Sequence, residues 1–308
     1  MGYQYTAFGI PIESSFELAG LNSGEETINS PHGKIIVRRK AVPEQLNEKP
    51  LETSAYGQSN ENETILLLPG IAKFYIYNGR GIDVEPLCDN ADIINQQLYA
   101  NCLSMALLQR DILLFHCSGI FINNDEVILF AAPKQTGKST LSVLLHQKGY
   151  LPFTDDTALI TFNGDACFAQ ASYPMLRLTE NSILQQKIYV ADSKQTEKAN
   201  IDKTAFYFHS AFISKKAKIK GIAFLEHDGN RMFTTSLRPS ETIGLIVDNI
   251  YRRKWLWNMK KQRLEFDFLS NIAGKVPMWK AVRPLDLPTY TEFTDMIEKN
   301  IIDKVLQV

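Results

Sequence analysis

Residues 128–140 read Ile128-Leu129-Phe130-Ala131-Ala132-Pro133-Lys134-Gln135-Thr136-Gly137-Lys138-Ser139-Thr140. The apolar run from Glu126 predicts a strand ending at Ala131, and Gly137-Lys138-Ser139 opens a predicted helix with Leu141, Leu144 and Leu145 inward and Gly149 as its stop. Strand, short loop and helix N-terminus form the setting a phosphate-binding loop requires. The first amides of a helix have no intrahelical acceptor, so they point outward and bind phosphate oxygens. Lys138 adds a point charge against β- and γ-phosphates, and the Ser139 hydroxyl can ligate Mg²⁺. Candidate phosphate contacts are therefore Ala132, Pro133, Lys134, Gln135, Thr136, Gly137, Lys138, Ser139 and Thr140. The chain departs from G-x-x-x-x-G-K-[ST] at Ala132. If that position needs positive φ, alanine costs on the order of 1 kcal/mol.

Working outward, Asp155-Asp156 ends the run LPF after the predicted helix returns. Acids delivered beside a phosphate loop serve the metal and the attacking hydroxyl. Adjacent side chains on an extended strand point to opposite faces, so a turn must place both. His116 stands in LLFHCSG, on the strand before the loop strand, and can face the same site. Arg177, Glu180 and Lys203 are weaker candidates, since charged side chains are usually solvated.

The order His116, loop to Ser139, then Asp155-Asp156 resembles the HPr kinase/phosphorylase family. In particular it looks like the HPr-kinase-related peptide serine kinases of lasso-peptide biosynthetic clusters. YTAFGIPIES is similar to that subgroup's opening strand, and LPGIAKFYIYNGRGIDVEP to its β-rich stretch. YPMLRLTENS and VPMWKAVRPLDL resemble its later segments. The resemblance implies an α/β fold with a P-loop kinase core of the HPr kinase C-terminal domain type and a β-rich N-terminal part. It implies ATP and Mg²⁺ as cofactors, and transfer of phosphate to a serine hydroxyl at the end of a precursor peptide. Lys138 would bind β- and γ-phosphate, Ser139 and Asp156 the metal, and Asp155 would be the base. His116 would position acids and phosphate. A capture loop and C-terminal signature for HPr itself are not found. The alternatives are a kinase of an HPr-like protein or small hydroxyl compound, and a non-catalytic nucleotide-binding protein. Homo-oligomers are common in the family.

Residues 1–90 read as β-rich, from YTAFGIPI, KIIVRR, TILLLPG and AKFYIYN, and residues 91–308 as the catalytic domain. The first part is the candidate for peptide recognition. The polar stretch 44–63 reads as a loop. A helix is expected from Asp92, as cap, to Arg110. Asn163-Gly164 marks a hairpin. KIKGIAFLEH and RMFTTSL read as a strand pair about Asp228-Gly229-Asn230. Ser240 is the expected cap of a following helix, and Phe293, Ile297 and Ile301 line the inner face of the last one.

With 33 basic and 34 acidic residues the net charge is −1, which leaves no global bias toward nucleic acid. The run Lys215, Lys216, Lys218 and Lys220 reads as a solvated strand edge. YRRKWLWNMKK, with Trp255 and Trp257, reads either as a contact for an acidic partner or as a helix end. Cys88, Cys102, Cys117 and Cys167 form no C-x-x-C pair and read as reduced thiols of a cytoplasmic protein. No signal peptide and no membrane span are expected.

Overall fold

The computed structural model describes residues 2–24, 30–133, 136–178, 204–207, 212–285 and 289–307. Among these the chain is mixed α/β, with two nine-stranded sheets and a two-stranded ribbon. The first sheet holds β1 (Tyr3–Ala7), β2 (Ile10–Ser14), β3 (Asn22–Ser23), β4 (Ile35–Arg39), β5 (Glu52–Ser54), β6 (Gly57–Ser59), β7 (Glu63–Leu68), β8 (Ala72–Tyr77) and β9 (Gly81–Pro86). Their order is β3-β1-β2-β4-β9-β8-β7-β6-β5.

Two expectations fail in this sheet. The opening run is a hairpin rather than one strand. Phe8 and Gly9 take φ of 54° and 66°, the mirror-image turn that matches strand twist. The stretch 44–63 is not a loop, because it contains β5 and β6. Backbone pairing to β7 holds these two strands, and polar contacts around Glu63 fix the residues that flank them. Glu63 is 6% exposed. It accepts from Asn47 Nδ2 at 2.6 Å, from the Glu48 amide at 3.1 Å and from the Tyr75 hydroxyl. Hydropathy does not reveal residues fixed around a buried carboxylate.

The chain then enters α1 (Ala91–Gln97), which runs through a π-helical turn (Leu98–Leu103) into α2 (Ser104–Gln109). Asn90, not Asp92, is the cap: its Oδ1 accepts from the Ile93 amide at 3.0 Å. Asp92 lies in the first turn, where its charge suits the helix dipole.

The rest comprises β10 (Leu114–Phe115), β11 (Cys117–Phe121), β12 (Glu126–Ala131), α3 (Lys138–Gln147), β13 (Pro152–Thr154), β14 (Ala158–Asn163) and β15 (Ala166–Ala171). The ribbon pairs β16 (Met175–Leu178) with β17 (Thr204–Tyr207). There follow β18 (Lys216–His227), β19 (Phe233–Ser236), α4 (Pro239–Asp248), α5 (Lys254–Asn258), α6 (Gln262–Ile272), β20 (Met278–Arg283), α7 (Tyr290–Ile297), a π-helical turn (Glu298–Ile302) and α8 (Asp303–Leu306).

The second sheet runs β10-β14-β15-β18-β12-β11-β13, with β20 also on β18 and β19 on β20. Its centre is parallel: β12 pairs with β18, and β18 with β20. The β18–β19 hairpin expected from sequence does not form. β20 lies between the two, pairing Ile222–His227 on one side and Phe233–Ser236 on the other. The lysine run is not an edge either. β18 is flanked by β12 and β15, and Lys216 and Lys218 project from the solvent face of an interior strand. Ser240 does not cap α4. Arg238 does, its amide donating to Glu241 Oε2 at 2.8 Å. Trp257 is 58% exposed, so only Trp255 of that pair packs against the core.

β12 shows why its sequence is continuously apolar. Ile128, Phe130 and Ala132 face α3 and α7 with Leu141, Leu145, Phe293, Ile297 and Ile301. Val127, Leu129 and Ala131 belong to the opposite core, with Phe224, Ile246 and Phe268. A strand buried on both faces loses the usual polar alternation. That second core continues into the first sheet. Phe8 at the β1–β2 turn sits edge-on to Tyr173 at 5.9 Å, and its amide donates to Ser172 O at 2.9 Å. The four cysteines are free; Cys88 is half-buried and the others buried. Among the described residues no helix is long and apolar enough to cross a membrane.

Candidate functional site

Three strand ends converge beside the N-terminus of α3. β12 ends at Ala131. β11 is antiparallel to it, so Cys117, its first residue, lies opposite Ala131. β13 is antiparallel to β11 in turn, with Thr154 opposite Gly119. The segment after β12, His116 and the acid pair therefore share one edge of the sheet, although β11 separates β12 from β13.

Gly137 precedes the helix at φ 98° and ψ 20°. Thr136 Oγ1 donates to Pro133 O at 2.8 Å. Ala132 does not take positive φ. The backbone cost that its missing glycine suggested is therefore absent. Ala132, Thr136, Lys138 and Thr140 are buried, Pro133 is exposed, and Gly137 and Ser139 are half-buried. Lys134 and Gln135 lie outside the described residues, as do Glu180 and Lys203; of Arg177 only the β16 backbone is described.

Lys138 is 8% exposed. Its Nζ donates to Ala132 O at 2.9 Å and lies 2.9 Å from His116 Nε2. His116 Nδ1 lies 2.8 Å from the carbonyl oxygen of Asp156. These contacts fix the tautomer. A carbonyl only accepts, so Nδ1 carries the hydrogen, and Nε2 presents its lone pair to the ammonium. The imidazole is neutral in this arrangement and links the lysine to the acid turn. His116 interrupts the strand between β10 and β11, where its amide donates to Asn249 O at 2.7 Å.

The two aspartates part company. Asp155 is 3% exposed. It accepts from Ser139 Oγ at 2.9 and 3.0 Å through its two oxygens. Asp156 takes φ of 72°. Aspartate tolerates this left-handed region better than most residues. The reversal turns Asp156 back toward His116, with Oδ1 at 3.7 Å from Nδ1. Thr154 Oγ1 clamps the turn by donating to Thr157 O at 2.6 Å, and it lies 2.9 Å from Ser172 Oγ.

Four residues at this site were not named from sequence as site residues. Ser118 Oγ reaches Lys138 O at 3.4 Å. Cys117 is fully buried beneath the site, and burial pushes its thiol pKa up, opposed by Lys138 and assisted by Asp155 and Asp156. Tyr290, the first residue of α7, lies against Gly137, and Arg283 at the end of β20 donates to its hydroxyl at 2.7 Å. Ser118 was reachable by alternation from His116, and Cys117 only as its neighbour on the opposite face. Nothing in local spacing marks Tyr290 or Arg283, because they arrive from the far end of the chain.

Ser139 and Asp155 are hard oxygen donors set side by side at a helix N-terminus. That donor set fits Mg²⁺, which takes one or two protein oxygens and completes its shell with phosphate oxygens and water.

No family model and no curated protein matches the chain. Among solved structures the chain is similar to the Hpr(Ser) kinase/phosphatase from Coxiella burnetii, with a TM-score of 0.32 and 9% identity over 62% of this chain and 92% of that one. That likeness is too distant to carry an assignment.

Proposed function

We propose that the protein is an ATP-dependent phosphotransferase acting on a serine hydroxyl. The observation that carries this reading is the union, at one helix N-terminus, of a buried lysine, a serine–aspartate pair and a second aspartate turned the other way. ATP is held by the backbone amides at the start of α3, from Gly137 to Thr140, and by Lys138. Ser139 and Asp155 are the side chains that hold Mg²⁺. A bound Mg²⁺ supplies charge neutralisation at the phosphate oxygens. The contacts favour Asp155 on the metal side, because it meets Ser139. They favour Asp156 as the group facing the acceptor, the reverse of the roles that the family resemblance suggests.

The acceptor oxygen approaches the γ-phosphorus in line with the leaving β–γ bridging oxygen. The new O–P bond forms as the old one breaks, ADP leaves, and the hydroxyl proton passes to Asp156. Alignment matters more than base strength along a loose transition state. Neutral His116 keeps Lys138 and the Asp156 turn in register.

The acceptor we propose is the terminal serine of a lasso-peptide precursor, with residues 1–90 as the part that receives the peptide and 91–308 as the catalytic part. Among the described residues β3 and β5 end the first sheet, and their outer edges suit an extended segment. The test is incubation with ATP and Mg²⁺ and a peptide ending in serine, its terminal-alanine counterpart, or an HPr-like protein. Mass spectrometry should find one phosphate on the serine peptide alone. Phosphate on the HPr-like protein instead rejects the peptide acceptor. Nucleotide binding without transfer to any acceptor rejects catalysis.

A further inference from the structure

β12, β18 and β20 run parallel, so their C-terminal ends lie along the edge where the phosphate loop begins. Arg283 closes β20 opposite His227 of β18. Its side chain is 4% exposed. Nη1 donates to Pro284 O at 3.2 Å and Nη2 to the Tyr290 hydroxyl at 2.7 Å. The guanidinium carbon stands 4.0 Å from the centre of the Tyr290 ring. Nε has no hydrogen-bond partner, and among the described residues no carboxylate pairs with Arg283. Burial lowers the pKa of this guanidinium and, with Arg283 beside it, that of His227. Among the described residues the guanidinium thus meets only two neutral acceptors, Pro284 O and the Tyr290 hydroxyl.

A buried guanidinium without a counter-ion is strongly unfavourable. Its neighbour explains what it waits for. A Cβ on Gly137 would meet Tyr290 Cε1 at 2.9 Å and its hydroxyl oxygen at 3.2 Å. The phenol oxygen thus stands between the phosphate loop and the guanidinium, accepting from the latter.

We infer that Arg283 is an anion receptor for polyphosphate bound at Gly137 and the start of α3, and that the Tyr290 hydroxyl holds its place until that anion arrives. This rests on reading the loop as a nucleotide site. The ring swings away from Gly137, a phosphoryl oxygen replaces the phenol as acceptor for Nη2, and Nε gains the partner it lacks. Arginine suits this role because its fork binds two oxygens at once.

Calorimetric binding of ATP and of inorganic tripolyphosphate to the full chain tests it, with Arg283→Gln, Tyr290→Phe and Lys138→Ala alongside wild type. Arg283→Gln should weaken both ligands about ten- to a hundredfold, the worth of hydrogen bonds to a charged group. Tyr290→Phe keeps the ring but removes the competing acceptor, so both ligands should bind up to about tenfold tighter. Unchanged or weaker binding by Tyr290→Phe overturns the inference, and it does so even where Arg283→Gln fails to fold. If Lys138→Ala loses affinity while Arg283→Gln does not, Arg283 is structural and the loop reading stands. If wild type binds neither ligand, the loop reading itself falls and the inference with it.

Discussion

Replacing Lys138 by methionine separates what the lysine does for the fold from what it does for phosphate. The methionine stem fills nearly the same buried volume. The loss includes two hydrogen bonds, to Ala132 O and His116 Nε2, each at 2.9 Å. Two acceptors left without a donor would cost about 1–3 kcal/mol in sum, once relief from burying an ammonium is set against them. Unfolding entropy of about 2.1 cal/mol/K per residue turns that into a fall of roughly 2–5 °C in melting temperature for a chain of this size. The same ammonium is proposed to face charge developing on the γ-phosphate, where one preorganised donor is worth about 10²–10³ in rate. The expected signature is a fall of two to three decades in single-turnover transfer from labelled ATP, with a melting curve displaced by only a few degrees. A well-folded methionine variant that transfers phosphate within about threefold of wild type would refute the reasoning.

Other outcomes follow from single contacts. Ser139→Ala should raise the Mg²⁺ concentration for half-maximal activity about tenfold, the scale of one lost metal-side oxygen, as read by Mg²⁺ titration at saturating ATP. Gly137→Ala would force a Cβ into φ of 98° and to within 2.9 Å of the Tyr290 ring. A loss of about 1–2 kcal/mol in denaturant unfolding is expected from the left-handed backbone alone. Glu63 is opposed by burial, but its bonds from Tyr75, Asn47, the Glu48 amide and Asn60 prevail and hold its pKa below the ordinary 4.5. A depressed carboxylate stabilises the fold above its unfolded pKa and loses that contribution as pH falls through the folded one. The stability gap between wild type and Glu63→Gln should therefore be full at neutral pH and close below pH 4.5. With thiol-specific reagent, Cys88 should react before Cys102 and Cys117, whose pKa values burial raises.

The loop strand, its helix and the Asn163-Gly164 hairpin were legible because each is written in neighbouring residues; the β8–β9 turn, not read as a hairpin from sequence, is equally local. Asn78 and Gly79 both take positive φ, at 53° and 61°, as their side chains allow. What was illegible depends on distant partners. β19 leaves β18 for β20 because the closing strand, some forty residues on, offers Val282, Ala281, Lys280 and Trp279 as an antiparallel partner. The β5–β6 hairpin is held by backbone pairing to β7 rather than by an apolar stripe, so no periodicity announces it. In the site, Lys138, Ser139 and the acid pair could be named, but not which acid meets which partner.

That last ambiguity has a backbone answer. Two consecutive aspartates on a strand would point to opposite faces, and only one would reach the loop. Here the strand stops at Thr154, and the left-handed turn falls on the second aspartate alone. Asp155 keeps the strand's direction and meets Ser139, while φ of 72° at Asp156 brings its carbonyl within 2.8 Å of His116 Nδ1. Asp156→Gly would keep that backbone, and with it the His116–Lys138 contact, while deleting the carboxylate. Asp156→Val would keep neither, since a β-branched residue resists positive φ. If Asp156 supplies a base, both variants lose about 10²–10⁴ in transfer. If only its turn matters, the glycine variant stays active and the valine variant does not. An active glycine variant would thus move the acceptor-side role from the carboxylate to the imidazole that its backbone positions.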